Sequence, residues 1–158
     1  MSNREDIPCL LRAETIAATP ERRHVHQFNE NAVRMTRSLA EPLGLQRLGV
    51  HLVRLESGRD STTFHFHEAD EEFIYILEGR GVARIGEHET EVGAGDFMAF
   101  TAPSPAHALH NPFEEDLVYL VGGENNPVDV VRYPNDGWTL VKAHGQREGV
   151  RTDALADV

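Results

Sequence analysis

The sequence predicts an all-β sandwich or barrel, on three observations. Short apolar runs follow one another through residues 46–123, several with strand-like alternation. Gly, Pro and acidic turns separate them at short intervals. Regular alternation of strand and helix patterns is missing, which argues against a doubly wound parallel sheet.

In chain order, Leu48-Gly49-Val50-His51-Leu52 alternates at period two, and Val53 and Leu55 add apolar character to its other face. The strands expected next are Thr62 to His67, Glu72 to Glu78, Val82 to Ile85, Thr90 to Val92, Phe97 to Phe100, Ala106 to His110 and Leu117 to Val121. Gly79, Gly81, Gly86, Gly93 and Gly95 punctuate them as turn residues. Before this core, residues 1–45 are mixed in texture and read as an N-terminal arm that packs on the barrel or on a partner; Ser38 to Gly44 suits a short helix or turn. After it, residues 124–158 read as a loop-like C-terminal extension, with Asn125-Asn126-Pro127 and Pro134-Asn135-Asp136-Gly137, and with an end that frays from Thr152 to Val158.

At 158 residues the chain suits one domain with tails. Fifteen Lys and Arg against 26 Asp and Glu give a net charge of −11, a field that repels phosphate backbones and anionic lipid. Neither nucleic acid nor a membrane is expected as a partner. The single cysteine, Cys9, cannot close an internal disulfide. The charged opening Met1 to Asp6 leads into no apolar run, and the expectation is a soluble cytoplasmic protein.

The chemistry concentrates in the histidines. His65 and His67 stand two apart on an expected strand, so their side chains leave the same face about 6.6 Å apart along it. Glu72 follows across a polar turn, and a chain reversal there would put it on the neighbouring antiparallel strand facing the same point. Glu72, Ile74 and Ile76 then share one face, and Phe73, Tyr75 and Leu77 the other. A carboxylate aimed into a barrel is costly unless it is paired or bound to a metal. Imidazoles and a carboxylate are common ligands of first-row divalent ions. A third histidine is offered by His107 or His110; three apart on a strand, they point to opposite faces, so only one joins the set.

These residues resemble the cupin superfamily, specifically its small single-domain proteins. Gly58-x6-His65-x-His67-x4-Glu72-x6-Gly79 is similar to the first cupin motif, and Gly95 through His107-x3-Asn111 to the second, with 15 residues between Gly79 and Gly95. The second motif departs from the pattern: Thr101 stands where the family usually has Pro, Pro103 where it has Gly, and one extra residue precedes His107. The resemblance implies a double-stranded β-helix, or jelly roll, with an N-terminal arm and a short C-terminal tail. It implies that His65, His67, Glu72 and His107 bind one divalent transition metal: Fe, Mn, Ni or Zn.

Thr63, Ile74, Ile76, Met98, Phe100, Leu109 and Tyr119 are the expected inward lining. A lining so apolar suits a small organic acid, carbonyl compound or phenol, and not a sugar phosphate, which calls for several Arg and Lys. The expected function is a metalloenzyme, dioxygenase-like or an isomerase or lyase. The alternative is a non-catalytic small-molecule binder or sensor. Phe73, Tyr75 and Leu77 opposite the ligand face call for a cover, and a homodimer is expected to supply it.

Overall fold

The computed structural model describes residues 7–158. Residues 1–6 of the N-terminal arm, including the charged opening, lie outside the described residues. Two layers of antiparallel strands face each other. The first is a six-stranded sheet of β1 (Arg22–His26), β2 (Asn29–Ser38), β3 (Leu48–Leu55), β10 (Leu117–Glu124), β5 (Glu72–Glu78) and β8 (Phe97–Phe100), in that order. The second is assembled from two smaller sheets. One runs β7 (His88–Gly93), β6 (Arg80–Ile85), β9 (His107–His110); the other runs β4 (Phe66–His67), β11 (Val128–Tyr133), β12 (Trp138–Ala143), β13 (Gln146–Arg151). An antiparallel bridge between His65 and His107 joins these two, with His107 N–H donating to the His65 carbonyl at 2.8 Å. This is a double-stranded β-helix.

Every strand of the expected core has a counterpart, and β5 and β8 carry the expected bounds. Two expectations need correction, for Thr62 to His67 and for residues 124–158, and the structure adds detail on β3 and the arm. Regular strand structure in Thr62 to His67 covers only Phe66–His67, although Ser61 and His65 also hydrogen-bond to β9. β3 turns Val53 and Leu55 inward, while Leu48 is 49% exposed. The arm supplies β1 and β2, two strands of the larger sheet. Residues 124–158 are not loop-like but form β11, β12 and β13, followed by a short 3-10 turn at Thr152–Ala154. Its turn residues separate strands instead of marking a long loop. His144 and Gly145, at φ 48° and 85°, join β12 to β13 with both residues left-handed, as a tight hairpin requires.

The apolar core fills one end of the space between the layers. Val53, Leu55, Ile76, Leu109, Leu117 and Tyr119 are each at most 1% exposed. Gly79 is needed where the chain passes β10: its φ is 76°, and a Cβ there would strike the Asp116 carbonyl. The outer face of β5 leaves Tyr75 and Leu77 about 40% exposed, and Phe97 on the adjacent β8 is 62% exposed. The one α-helix, Ala13–Ala18, has six residues, and no helix among the described residues is long and apolar enough to cross a membrane.

Candidate metal centre and its cavity

Inward-facing positions on several strands converge at the end of the interior opposite the apolar core. His65 and His67 leave one face, as their spacing predicts, with ring centroids 5.2 Å apart. Glu72 meets them from across the interior and not from a neighbouring strand: β4 pairs with β11, whereas β5 pairs with β10 and β8. His107 arrives beside His65 from β9, centroids 4.8 Å apart. The Glu72 Oε2 atom lies 3.7, 3.4 and 3.3 Å from the Nε2 atoms of His65, His67 and His107. His65, His67 and Glu72 offer ligand atoms that all lie within 4.8 Å of one another. His110 turns outward to Asp60, Nδ1 to Oδ1 2.7 Å, which leaves His107 as the inward histidine of β9.

The far nitrogen of each ring faces an oxygen that can only accept. His65 Nδ1 is 2.8 Å from the Thr63 carbonyl, His67 Nδ1 2.6 Å from Asp129 Oδ2, and His107 Nδ1 3.4 Å from the Pro105 carbonyl. With Nδ1 donating to these oxygens, each ring turns its Nε2 towards Glu72. Phe100 lies flat on His107, centroids 3.5 Å apart and planes within 6°, and sets the plane of that ring.

Burial holds His65 below the usual imidazole pKa. Burial opposes ionisation of Glu72, yet the surrounding His107, His65 and His67 groups keep its carboxyl below the ordinary range. Burial likewise opposes ionisation of Asp129, and the hydrogen bond and charge of His67, with the amides of Ala69 and Asp70, outweigh it and hold its pKa down. Asp129 was not among the sequence candidates. Its signal was the alternation of Val128-Asp129-Val130-Val131, which marks a strand with a buried acid.

A cavity of about 470 Å³ opens over this cluster. Ile74, Met98, Phe100, Leu109 and Tyr119 line it, as expected. Ile76 lies deeper, in the core, and Thr63 does not reach the cavity wall: its carbonyl orients His65, and Ser61 and Thr62 take its place. The expectation of a mostly apolar lining, without several Arg and Lys, does not hold. His24, His26, Arg34, His51, Lys142 and Arg147 also border the space, contributed by β1, β2, β3, β12 and β13. All of these strands but β3 belong to the arm and the tail, which a reading centred on residues 46–123 passes over.

Two of the groups around the cavity stand beside the cluster. His26, 7% exposed, is pushed down to about 4 by burial first, then by the charges of His65 and Arg34. Its Nδ1 accepts the Phe28 amide at 3.2 Å, so the neutral ring carries its proton on Nε2. Tyr133 stacks on His65 with centroids 6.0 Å apart and packs edge-on to His26. Burial raises its phenol to about 12, so it stays protonated.

The comparisons agree with this architecture. A Cupin domain family model matches residues 51–123. A structure from Acidithiobacillus ferrooxidans, described as a "putative sugar phosphate isomerase", is 34% identical over 94% of this chain and 96% of its own, with a TM-score of 0.92. A cupin-superfamily sugar phosphate isomerase from Silicibacter pomeroyi is 26% identical over the same shares, with a TM-score of 0.81. A predicted oxalate decarboxylase from Thermotoga maritima, 21% identical over 70% of this chain and 96% of its own, shares the fold at a TM-score of 0.59. No curated protein matches the chain significantly. With the jelly roll, the inward His-x-His…Glu…His set and a near full-length relative in agreement, the chain belongs to the cupin superfamily.

Proposed function

We propose that the protein is a divalent-metal-dependent isomerase acting on a small phosphorylated hydroxy-carbonyl compound, a sugar phosphate in the broad sense. One observation carries the metal: the Nε2 atoms of three histidines surround one carboxylate oxygen, at 3.3–3.7 Å. Three imidazole nitrogens around one carboxylate form a donor set that fits a first-row ion such as Fe, Mn, Ni or Zn. His65, His67, Glu72 and His107 would hold it, with Asp129 orienting His67 from behind. When bound, the ion supplies Lewis-acid polarisation of substrate oxygens.

The chain's own groups supply the rest. His26 presents a neutral Nε2–H, and Tyr133 a phenol that stays protonated; both are donors suited to hold and polarise a substrate oxygen. Phe100, Met98 and Ile74 give the floor an apolar wall that excludes water around the reacting carbons. The sugar phosphate isomerase descriptions of two near full-length relatives support the substrate class, and the basic residues bordering the cavity agree with an anionic substrate.

The test uses untagged protein prepared without chelator. Elemental analysis is expected to find one transition metal per chain. Aldose and ketose phosphates incubated with it in deuterated water are expected to interconvert and to take up deuterium at the carbon beside the carbonyl, read by NMR. A folded sample that neither retains nor takes up Fe, Mn, Ni or Zn would overturn the metal reading. Metal-loaded protein that binds sugar phosphates without turnover would return the assignment to a binding protein.

A further inference from the structure

The chain is strongly acidic, and several of its half-buried basic groups are matched by carboxylates. Glu21 binds both Arg54 and Arg37, Glu68 binds Arg132, and Asp70 binds Lys142 at 2.7 Å. Two arginines that border the cavity break this pattern. Arg34 and Arg147 make no ion pair and no side-chain hydrogen bond with any described residue. The Arg34 Nε–H is buried and has no hydrogen-bond partner among the described residues. A buried donor left unpaired is unfavourable, and a ligand oxygen relieves it.

Their placement is as informative as their lack of partners. Arg34 lies on β2 in the six-stranded sheet, directly opposite His24 in the β1–β2 register. Arg147 lies on β13, the edge strand of the facing layer. The charges of both act on His24 and on Tyr133, so the two guanidinium groups share one region although they come from opposite layers. Tyr133 in turn stacks on His65, which ties that region to the floor of the cavity. His51 on β3 completes the group, and burial, then the charge of Arg34, keeps it neutral and able to donate one hydrogen bond. Lys142, which borders the same cavity, is excluded because Asp70 already holds it.

We infer that Arg34 and Arg147, supported by His24 and His51, form a phosphate-binding subsite at the mouth of the cavity. The inference deepens the isomerase reading and takes from it only the position of the reacting carbons, which the subsite would aim at His65, His67, Glu72 and His107. Guanidinium groups fit a phosphate because their planar forks pair two hydrogen bonds with two of its oxygens, and they stay charged at any working pH. In a chain of net charge −11, two unmatched cations beside an open cavity also make a local attractive spot for an anion.

The experiment is calorimetric titration of inorganic phosphate into the full chain at fixed ionic strength, with metal content measured on every sample. Wild type is expected to bind phosphate. R34M and R147A are each expected to weaken it tenfold or more while retaining wild-type metal content, and R34K to recover part of the loss. E72Q, stripped of metal, is expected still to bind phosphate. With a sugar phosphate as substrate, R34M and R147A are expected to raise KM more than they lower kcat. R147A, on an exposed edge strand, keeps the test valid should R34M fail to fold. Wild type that binds no phosphate would overturn the subsite. So would phosphate affinity that is unchanged in both arginine variants, or affinity that is lost in E72Q alone, which would place the anion on the metal. Arginine-dependent phosphate binding without isomerase turnover would uphold the subsite and sink the isomerase reading.

Discussion

The two ends of the barrel interior are built from the same rows of side chains and do opposite work. On β5 the inward row runs Glu72, Ile74, Ile76; on β9 it runs His107, Leu109. One end of each row stands in the ligand cluster and the other in the core, where Ile76 and Leu109 are at most 1% exposed. A strand thus carries its polar cluster and its share of the core only a few residues apart. The apolar cluster contains none of the candidate ligands, so the polar end can keep histidines, a carboxylate and arginines that a core would not tolerate.

Five measurements break or sharpen that contrast. The largest effect is expected from the apolar end. Leu117→Ala removes a fully buried side chain from β10 and should cost about 2–5 kcal/mol of stability in urea unfolding, with metal content of the folded fraction unchanged. A loss of metal in step with stability would mean that the two ends are not separable.

Glu72→Gln acts at the other end. Metal retention after dialysis should fall from stoichiometric to near zero, because a neutral amide is a poorer donor than a carboxylate, while the urea midpoint stays close to wild type. Asp129→Asn should weaken metal affinity about 10–100-fold, less than the ligand change, since it alters only the group that orients His67. Competition with a chelator measures both, and an Asp129→Asn affinity equal to wild type would remove it from the site.

The smallest effect lies outside the barrel interior. Glu21, in the arm, accepts Arg54 Nη2 at 2.7 Å and Nε at 3.1 Å, and the Arg54 hydrogen bond holds its carboxyl below the ordinary value. A depressed folded-state pKa stabilises the fold above the unfolded value of about 4.3, and that contribution disappears as pH falls through the folded value. Wild type should therefore exceed Glu21→Gln in stability at pH 7, and the gap should close on acidification below about pH 4. A gap that persists undiminished far below that pH would mean that the arm is held by something else. Tyr75, Leu77 and Phe97, exposed on the outer sheet face, also leave room for the expected homodimer. Light scattering should give twice 17.7 kDa, and a monomer would show that the face stands uncovered.

Period-two spacing alone determined that His65 and His67 share a face and that Glu72, Ile74 and Ile76 do. Alternation is local, so any partner strand leaves it intact. The turn residues in 46–123 likewise located the strand ends, because Gly and Pro act on their own φ angles. The third histidine, His107 or His110, had to wait for the fold, since spacing shows only that they oppose each other.

Only tertiary structure decided what lies across the interior. It brought Glu72 to the histidines from the opposite layer and Asp129 to the back of His67, 62 residues along the chain. It also brought Arg34 and Arg147 to the lining of one cavity from the two ends of the sequence. Their segments, β1–β2 and β11–β13, lack long apolar runs. β1 and β13 are edge strands, and edge strands carry polar and charged residues because no neighbour covers one side. In composition such strands look like arms and loops; a sheet reveals them by supplying the neighbour whose hydrogen bonds they complete.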